Sequence, residues 1–186
     1  MAEILRQLRE EHGNMTRLLN ALEHQLAVFD QGKQPDYDVL LAAADYFTGF
    51  PFRCHHPKED LIFQKMKEVD AAAAHSIPDL DSEHEQMAGL ARHFQEAVRN
   101  VFEEVEVPRS AFHAVLRRFI SEQRRHMQME EQQFLPLAEK VLGAEDWADL
   151  AAKAAEEGDP LFGAVAAGKF QSLLRKILKW ERENKE

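Results

Sequence analysis

An all-α fold, an antiparallel up-down four-helix bundle with additional C-terminal helices, is predicted by three observations. Helix-forming residues dominate a chain of 186 residues that holds only 8 Gly and 7 Pro. Apolar residues recur at three- and four-residue steps through most of its length, the signature of amphipathic helices. Short turn-like connections separate four long segments of this kind, which favours antiparallel neighbours. A hydrophobic fraction of 45% in a chain of this length supports a substantial core without disulfide staples.

The first helix is predicted over Glu3–Phe29, where Ile4, Leu5, Leu8, Met15, Leu18, Leu19, Leu22, Leu26 and Phe29 form one stripe with His12 inside it. Asp30 to Asp36, with Gly32 and Pro35, reads as a turn. A second helical pattern runs from about Tyr37 to Val69, with Pro51 and Pro57 inside it. Each Pro removes a backbone donor and clashes with the carbonyl four residues back, so a kink or local unwinding is expected near His55. Ala71 to Asp81 connects to a third helix, about Leu80 to Glu104, with a cap among Asp79, Asp81 and Ser82. Pro108 suits the first turn of a fourth helix extending to about Leu142 and ending at Gly143. Residues 1–143 therefore read as the bundle. Residues 144–186 read as a helical extension: Ala144–Glu157, a break at Gly158-Asp159-Pro160, and an amphipathic tail through Phe170, Leu173, Leu174, Ile177, Leu178 and Trp180. This extension is expected on the bundle or in a homodimer contact.

The formal charge of −10, from 33 acidic and 23 basic residues, argues against a nucleic-acid or anionic-membrane surface, where a basic face should dominate. A single Cys54 cannot form an internal disulfide, and neither a signal-like apolar run nor a membrane-length segment is present. The expectation is a soluble cytoplasmic protein.

The chain repeats itself. A shift of 72 positions carries Glu11-His12, Met15, Leu18, Leu22 and Leu26 onto Glu83-His84, Met87, Leu90, Phe94 and Val98. A shift of 71 carries His55, Glu59 and Phe63 onto His126, Glu130 and Phe134. Residues i and i+4 share a helix face, so each His-x-x-x-Glu aims an imidazole and a carboxylate at one point. Four imidazoles and two carboxylates are thus expected to point inward. Imidazole with carboxylate suits Fe, Mn or Zn, and the absence of a thiolate pair disfavours iron–sulfur clusters and Cys-type zinc. Two carboxylates on facing helices can each bridge two ions, leaving positions for a bridging oxo or hydroxo group and an exogenous ligand; a dinuclear iron site is the natural reading.

Ferritin-like bundles carry Glu-x-x-His. Arg9, Phe52, Asp81 and Gln123 stand three residues before His12, His55, His84 and His126, so that motif is missing. The pattern His12, His55-His56-Pro57-Lys58-Glu59, His84 and His126-x-x-x-Glu130 instead resembles the hemerythrin family, in its His-His-Glu cation-binding branch, over roughly Ile4 to Leu142. The resemblance implies a four-helix bundle around a non-haem di-iron centre, with His12, His55, His84 and His126 as terminal ligands and Glu59 and Glu130 as bridging carboxylates. It implies functions that include oxygen binding, nitric oxide or oxygen sensing, iron sensing and repair of damaged iron centres. The expectation is a di-iron protein that binds or reacts with oxygen, nitric oxide or peroxide; iron sensing, iron handling or repair of iron centres is the alternative. Oxygen-carrying members place a second His four residues after the first on the third helix, where this chain has Ala88. A more open and polar site follows, which weakens oxygen carriage in favour of reaction or sensing.

His56 falls about 100° round a regular helix from His55, a place beside the ligands or at the surface, although a distortion at Pro57 could bring it in. The first copy is expected to be irregular and the second, through Met127-Gln128-Met129, smooth. Asp60 and Glu131 are expected to be exposed or to support the ligands. His24, His75, His93 and His113 lack the repeat context and read as surface or packing residues, as do Met15, Met87, Met129 and Cys54 as packing residues. Phe63 and Phe134 are expected to wall the pocket.

Overall fold

The structure, a computed structural model, describes residues 2–103, 108–154, 158–163, 166 and 168–183. Every regular element among them is helical. Helix α1 (Glu3–Asp30) buries Leu5, Leu8, Met15, Leu18, Leu19 and Leu22 along one stripe. It ends where Gly32 takes φ 78°, with Gly32 N–H on the Phe29 carbonyl and Lys33 N–H on the Val28 carbonyl, a closure that needs a left-handed residue.

Helix α2 (Tyr37–Phe47) starts from Asp36, whose carboxylate accepts the N–H groups of Asp38 and Val39. The long second helix predicted for this region is broken at Thr48-Gly49, and the chain resumes in a π-helical turn, Pro51–His55, closed by the His56 N–H on the Pro51 carbonyl. Helix α3 (His56–Val69) follows with Pro57 in its first turn, then the short α4 (Ala71–Ala74) and α5 (Leu80–Phe102), capped by Asp79.

Helix α6 (Arg109–Met129) does not run smoothly to Leu142 as expected. It passes into a second π-helical turn, Glu130–Phe134, before α7 (Leu135–Val141). Both halves are therefore irregular, and both π turns precede a helix with Pro at its second residue, Pro57 or Pro136. A proline lacks the N–H that would bind the carbonyl four residues back and its ring crowds that carbonyl, so the preceding turn widens. Helix α8 (Ala144–Lys153) is shorter than predicted, and Glu157 and Glu104 lie outside the described residues. Helix α9 (Gln171–Glu183) completes the chain's regular structure.

Helices α1 and α2, α2 and α5, α5 and α6, and α6 and α1 pack pairwise; α8 lies on α1 and α3, and α9 on α1 and α2. The apolar interior is divided in two. One cluster joins Leu18 and Leu22, Phe47, Phe94 and Val98, Phe112, Leu116 and Phe119, with Leu173 and Ile177 of α9 against it. The other joins Leu5 and Leu8, Ile62, Phe63 and Met66, Leu80, Phe134 and Ala138, with Leu150 of α8. Between them each long segment turns polar residues inward: Glu11 and His12, His55 to Glu59, His84, and Gln123, His126 and Glu130 are all buried apart from Pro57. No helix among the described residues is long and apolar enough to cross a membrane.

Candidate metal centre

The six residues singled out by the repeat meet in this layer, and none is more than 7% exposed. His12 comes from α1, His55 from the end of the first π turn, Glu59 from the first turn of α3, His84 from α5, His126 from the last turn of α6 and Glu130 from the start of the second π turn. Helical i,i+4 spacing sets His55 Nε2 at 3.5 Å from Glu59 Oε1 and His126 Nε2 at 3.0 Å from Glu130 Oε1. Across helices, Glu59 Oε1 is also 3.5 Å from His12 Nε2 while its Oε2 is 3.4 Å from His84 Nε2. Glu130 faces the same rings in the opposite sense, with Oε2 at 3.3 Å from His12 and Oε1 at 3.4 Å from His84. Each carboxylate thus spans the space between the His12–His55 and His84–His126 pairs. Inside the first pair, the two Nε2 atoms lie 3.0 Å apart.

The outer nitrogens of these rings meet a second set of acids. His12 Nδ1 lies 2.7 Å from Glu131, His55 Nδ1 2.7 Å from Glu11, and His84 Nδ1 2.8 Å from Asp60, while His126 Nδ1 faces Glu83 at 3.6 Å. Each acid is the chain neighbour of one site residue but serves a histidine on another element. Glu11 precedes His12 and holds His55; Glu131 follows Glu130 and holds His12. A carboxylate on Nδ1 keeps the proton there and turns the Nε2 lone pair inward, as metal-binding imidazoles require. Glu11 is itself satisfied by the buried Lys58 ammonium at 2.6 Å.

Electrostatics follow from this crowding. Burial opposes ionisation of Glu59, and Glu130 beside it adds repulsion, yet the imidazoles of His55, His12 and His84 outweigh both and hold its carboxyl below the usual range. Burial likewise opposes ionisation of Glu130, and His126, His12 and His84 reverse it. Burial disfavours charge on His84, but Asp60, Glu130 and Glu59 raise its pKa to about 11; His12 is raised in the same way by Glu130, Glu131 and Glu59.

Even so, the layer is incompletely paired. Both oxygens of Glu59, Oε2 of Glu130, both ring nitrogens of His126 and Nδ1 of His56 are buried and make no hydrogen bond within the described residues. Buried polar atoms are ordinarily bonded, and a concentrated set of nitrogen and oxygen lone pairs is what a borderline or hard cation satisfies. Donor atoms of His12, His55, Glu59 and Glu130 lie within 4.8 Å of one another, and so do those of His56, His84 and His126. The residues present fit a metal centre.

Of the two places expected for His56, beside the ligands or at the surface, the structure takes the first. His56 is buried, with its ring stacked on His84. Lys58, Glu11 and Glu83 went unassigned from the sequence, although the duplicated Glu-His dipeptide carried the two acids. His24, His75 and His93 are exposed, and His113 pairs with Asp30 at 3.2 Å, all away from the layer. Phe63 and Phe134, 6.4 Å apart, floor the layer from the second apolar cluster, and Cys54 is buried. His12 and Glu131 also form part of the wall of a surface groove of about 450 Å³ between Arg9 and Arg124.

An all-helical protein with a buried His and Glu layer able to hold metal is the class that fold and site define. Residues 3–138 match the family model described as the hemerythrin HHE cation binding domain, and the chain belongs to that family. No curated protein and no solved structure matches the chain.

Proposed function

We propose that this is a non-haem di-iron protein whose centre binds or reacts with a small ligand, namely oxygen, nitric oxide or hydrogen peroxide. The observation that carries this reading is the placement of Glu59 and Glu130, each with its two oxygens turned towards different histidine pairs. In it, His12, His55, His84 and His126 would hold the metal as terminal ligands, with Glu59 and Glu130 as the carboxylates shared between the two ions. The pairwise packing of α1, α2 with α3, α5, and α6 with α7 is read as an up-down four-helix bundle around that centre. Bound iron supplies redox-active positions at which a small ligand can exchange. The protein's part is to orient the imidazoles through the outer acids, to neutralise charge, and to exclude bulk water with the two apolar clusters.

Metal analysis of protein purified from iron-supplied cells without chelator tests this reading, with two irons per chain and a visible absorption band expected. Addition of nitric oxide, oxygen or peroxide to the diferrous protein should then change the spectrum rapidly. Protein without stoichiometric metal would sink the proposal. Inertness to all three ligands, with a large metal-dependent gain in melting temperature, would favour iron sensing instead.

A further inference from the structure

We infer that His56 is a metal ligand on the His84–His126 side of the layer, so that three imidazoles serve one ion and two serve the other. The inference rests on the di-iron reading above and deepens it.

His56 begins α3 immediately after the first π turn, and it is 4% exposed. On a regular helix it would sit about 100° away from His55. Here both rings enter the layer, with centroids 5.6 Å apart. His56 stacks on His84 at 4.0 Å and 6°, and stands perpendicular to His126 at 5.7 Å. Its nitrogen donor lies within 4.8 Å of donors from both.

The decisive contrast is with its neighbours. His12, His55 and His84 each meet a carboxylate through Nδ1 at 2.7 to 2.8 Å and His126 Nδ1 faces Glu83 at 3.6 Å, whereas His56 Nδ1 is buried with no hydrogen bond among the described residues. Phe52 meets the ring at 4.8 Å in an edge contact, which supplies packing and no polar partner. A buried ring nitrogen without a hydrogen-bond partner, beside two other imidazoles, is explained by an ion. The unpaired ring nitrogens of His126, and the unpaired Oε2 of Glu59 at 3.4 Å from His84 Nε2, mark the same side of the layer.

Stacking on His84 is the competing role, and substitution separates the two. His56→Phe keeps an aromatic plate against His84 but removes the lone pair; His56→Ala removes both. If His56 is a ligand, stepwise ferrous titration of either variant shows one of the two ions bound at least about tenfold more weakly. Mössbauer spectra of the wild-type protein show two inequivalent irons, one of which is altered or lost in both variants. Added imidazole restores that ion to His56→Ala. Wild-type affinities and spectrum in His56→Phe would overturn the inference. Circular dichroism of the metal-free variants verifies folding, and His56→Gln replaces any variant that fails. A wild-type chain that takes up two irons separates failure of this inference from failure of the di-iron reading, since a chain that takes up none overturns both.

Discussion

Lys58 Nζ lies 2.6 Å from Glu11 Oε1 in the interior, and both side chains are essentially inaccessible. The other oxygen of Glu11 holds His55. One ammonium therefore steadies an acid that orients a histidine of the layer. Lys58→Met leaves the Glu11 charge buried with one partner fewer, and should cost about 3 kcal/mol in chemical denaturation. Glu11→Gln together with Lys58→Met removes both charges and should recover much of that loss. A Lys58→Met variant as stable as the parent would show that the pair carries no such weight.

Glu59→Ala and Glu130→Ala should each abolish two-metal binding, because each removes the oxygens that reach both histidine pairs. His113→Ala, which disturbs only the ion pair with Asp30, should keep full metal content. Metal analysis after purification decides both. An emptied site in His113→Ala would refute the ligand assignment.

The outer acids are expected to tune affinity without abolishing binding. Asp60→Asn and Glu131→Gln remove the carboxylates that hold His84 and His12 at 2.8 and 2.7 Å. Each should weaken ferrous binding by roughly 10- to 100-fold, while both ions still bind at saturating metal. Competition against a calibrated chelator measures this.

Proton traffic accompanies loading. In the metal-free chain His84 is raised to about 11 and His12 lies above its usual value, so both are protonated at pH 7 and must lose a proton to donate Nε2. About two protons per chain should be released on loading, read by calorimetry in buffers of different ionisation enthalpy. The raised histidines stabilise the metal-free fold below their ordinary value of 6.5, and that stability is lost as pH rises towards about 11. The lowered carboxyls of Glu11, Glu59, Glu130 and Glu131 stabilise it above 4.5, and that contribution is lost on acidification. Burial and the neighbouring His84 lower the pKa of His56, so the fold also loses stability as pH falls below 6.5. Metal-free protein should therefore melt highest near about pH 6.5, and a maximum at pH 9 would contradict this assignment.

Asp159 gathers the segment before α9: it accepts from the N–H groups of Leu161 and Phe162, from Asn14 and from the Tyr46 hydroxyl at 3.0 Å. Asp159→Ala strands the buried Tyr46 hydroxyl and should cost about 2 kcal/mol, whereas adding Tyr46→Phe should cost little more. Urea melts of the single and double variants test this coupling.

The helical stripes were legible because burial of a helix face imposes its period on the sequence, and the duplicated His-x-x-x-Glu made the inner residues visible for the same reason. The second break was missed at Pro136, whose place two residues beyond Phe134 repeats that of Pro57 beyond His55. Glu11 and Glu83 were harder to read, because an acid beside a histidine points about 100° away from it on the same helix. Its use appears only when another helix supplies the imidazole. His56 was left between a place beside the ligands and the surface, because the distortion expected near Pro57 could be read from the sequence but its direction could not; the π turn before it turns the ring inward.

The exchange of acids between elements also bears on whether the molecule can be divided. Glu11 with His55 and Glu83 with His126 lie within the first and second halves of the repeat, whereas Glu131 with His12 and Asp60 with His84 join one half to the other. Either hairpin alone would retain one clamped imidazole and leave the other free to rotate. The arrangement works as a two-key lock, in which each half carries a key that only the other half's ward can hold in position.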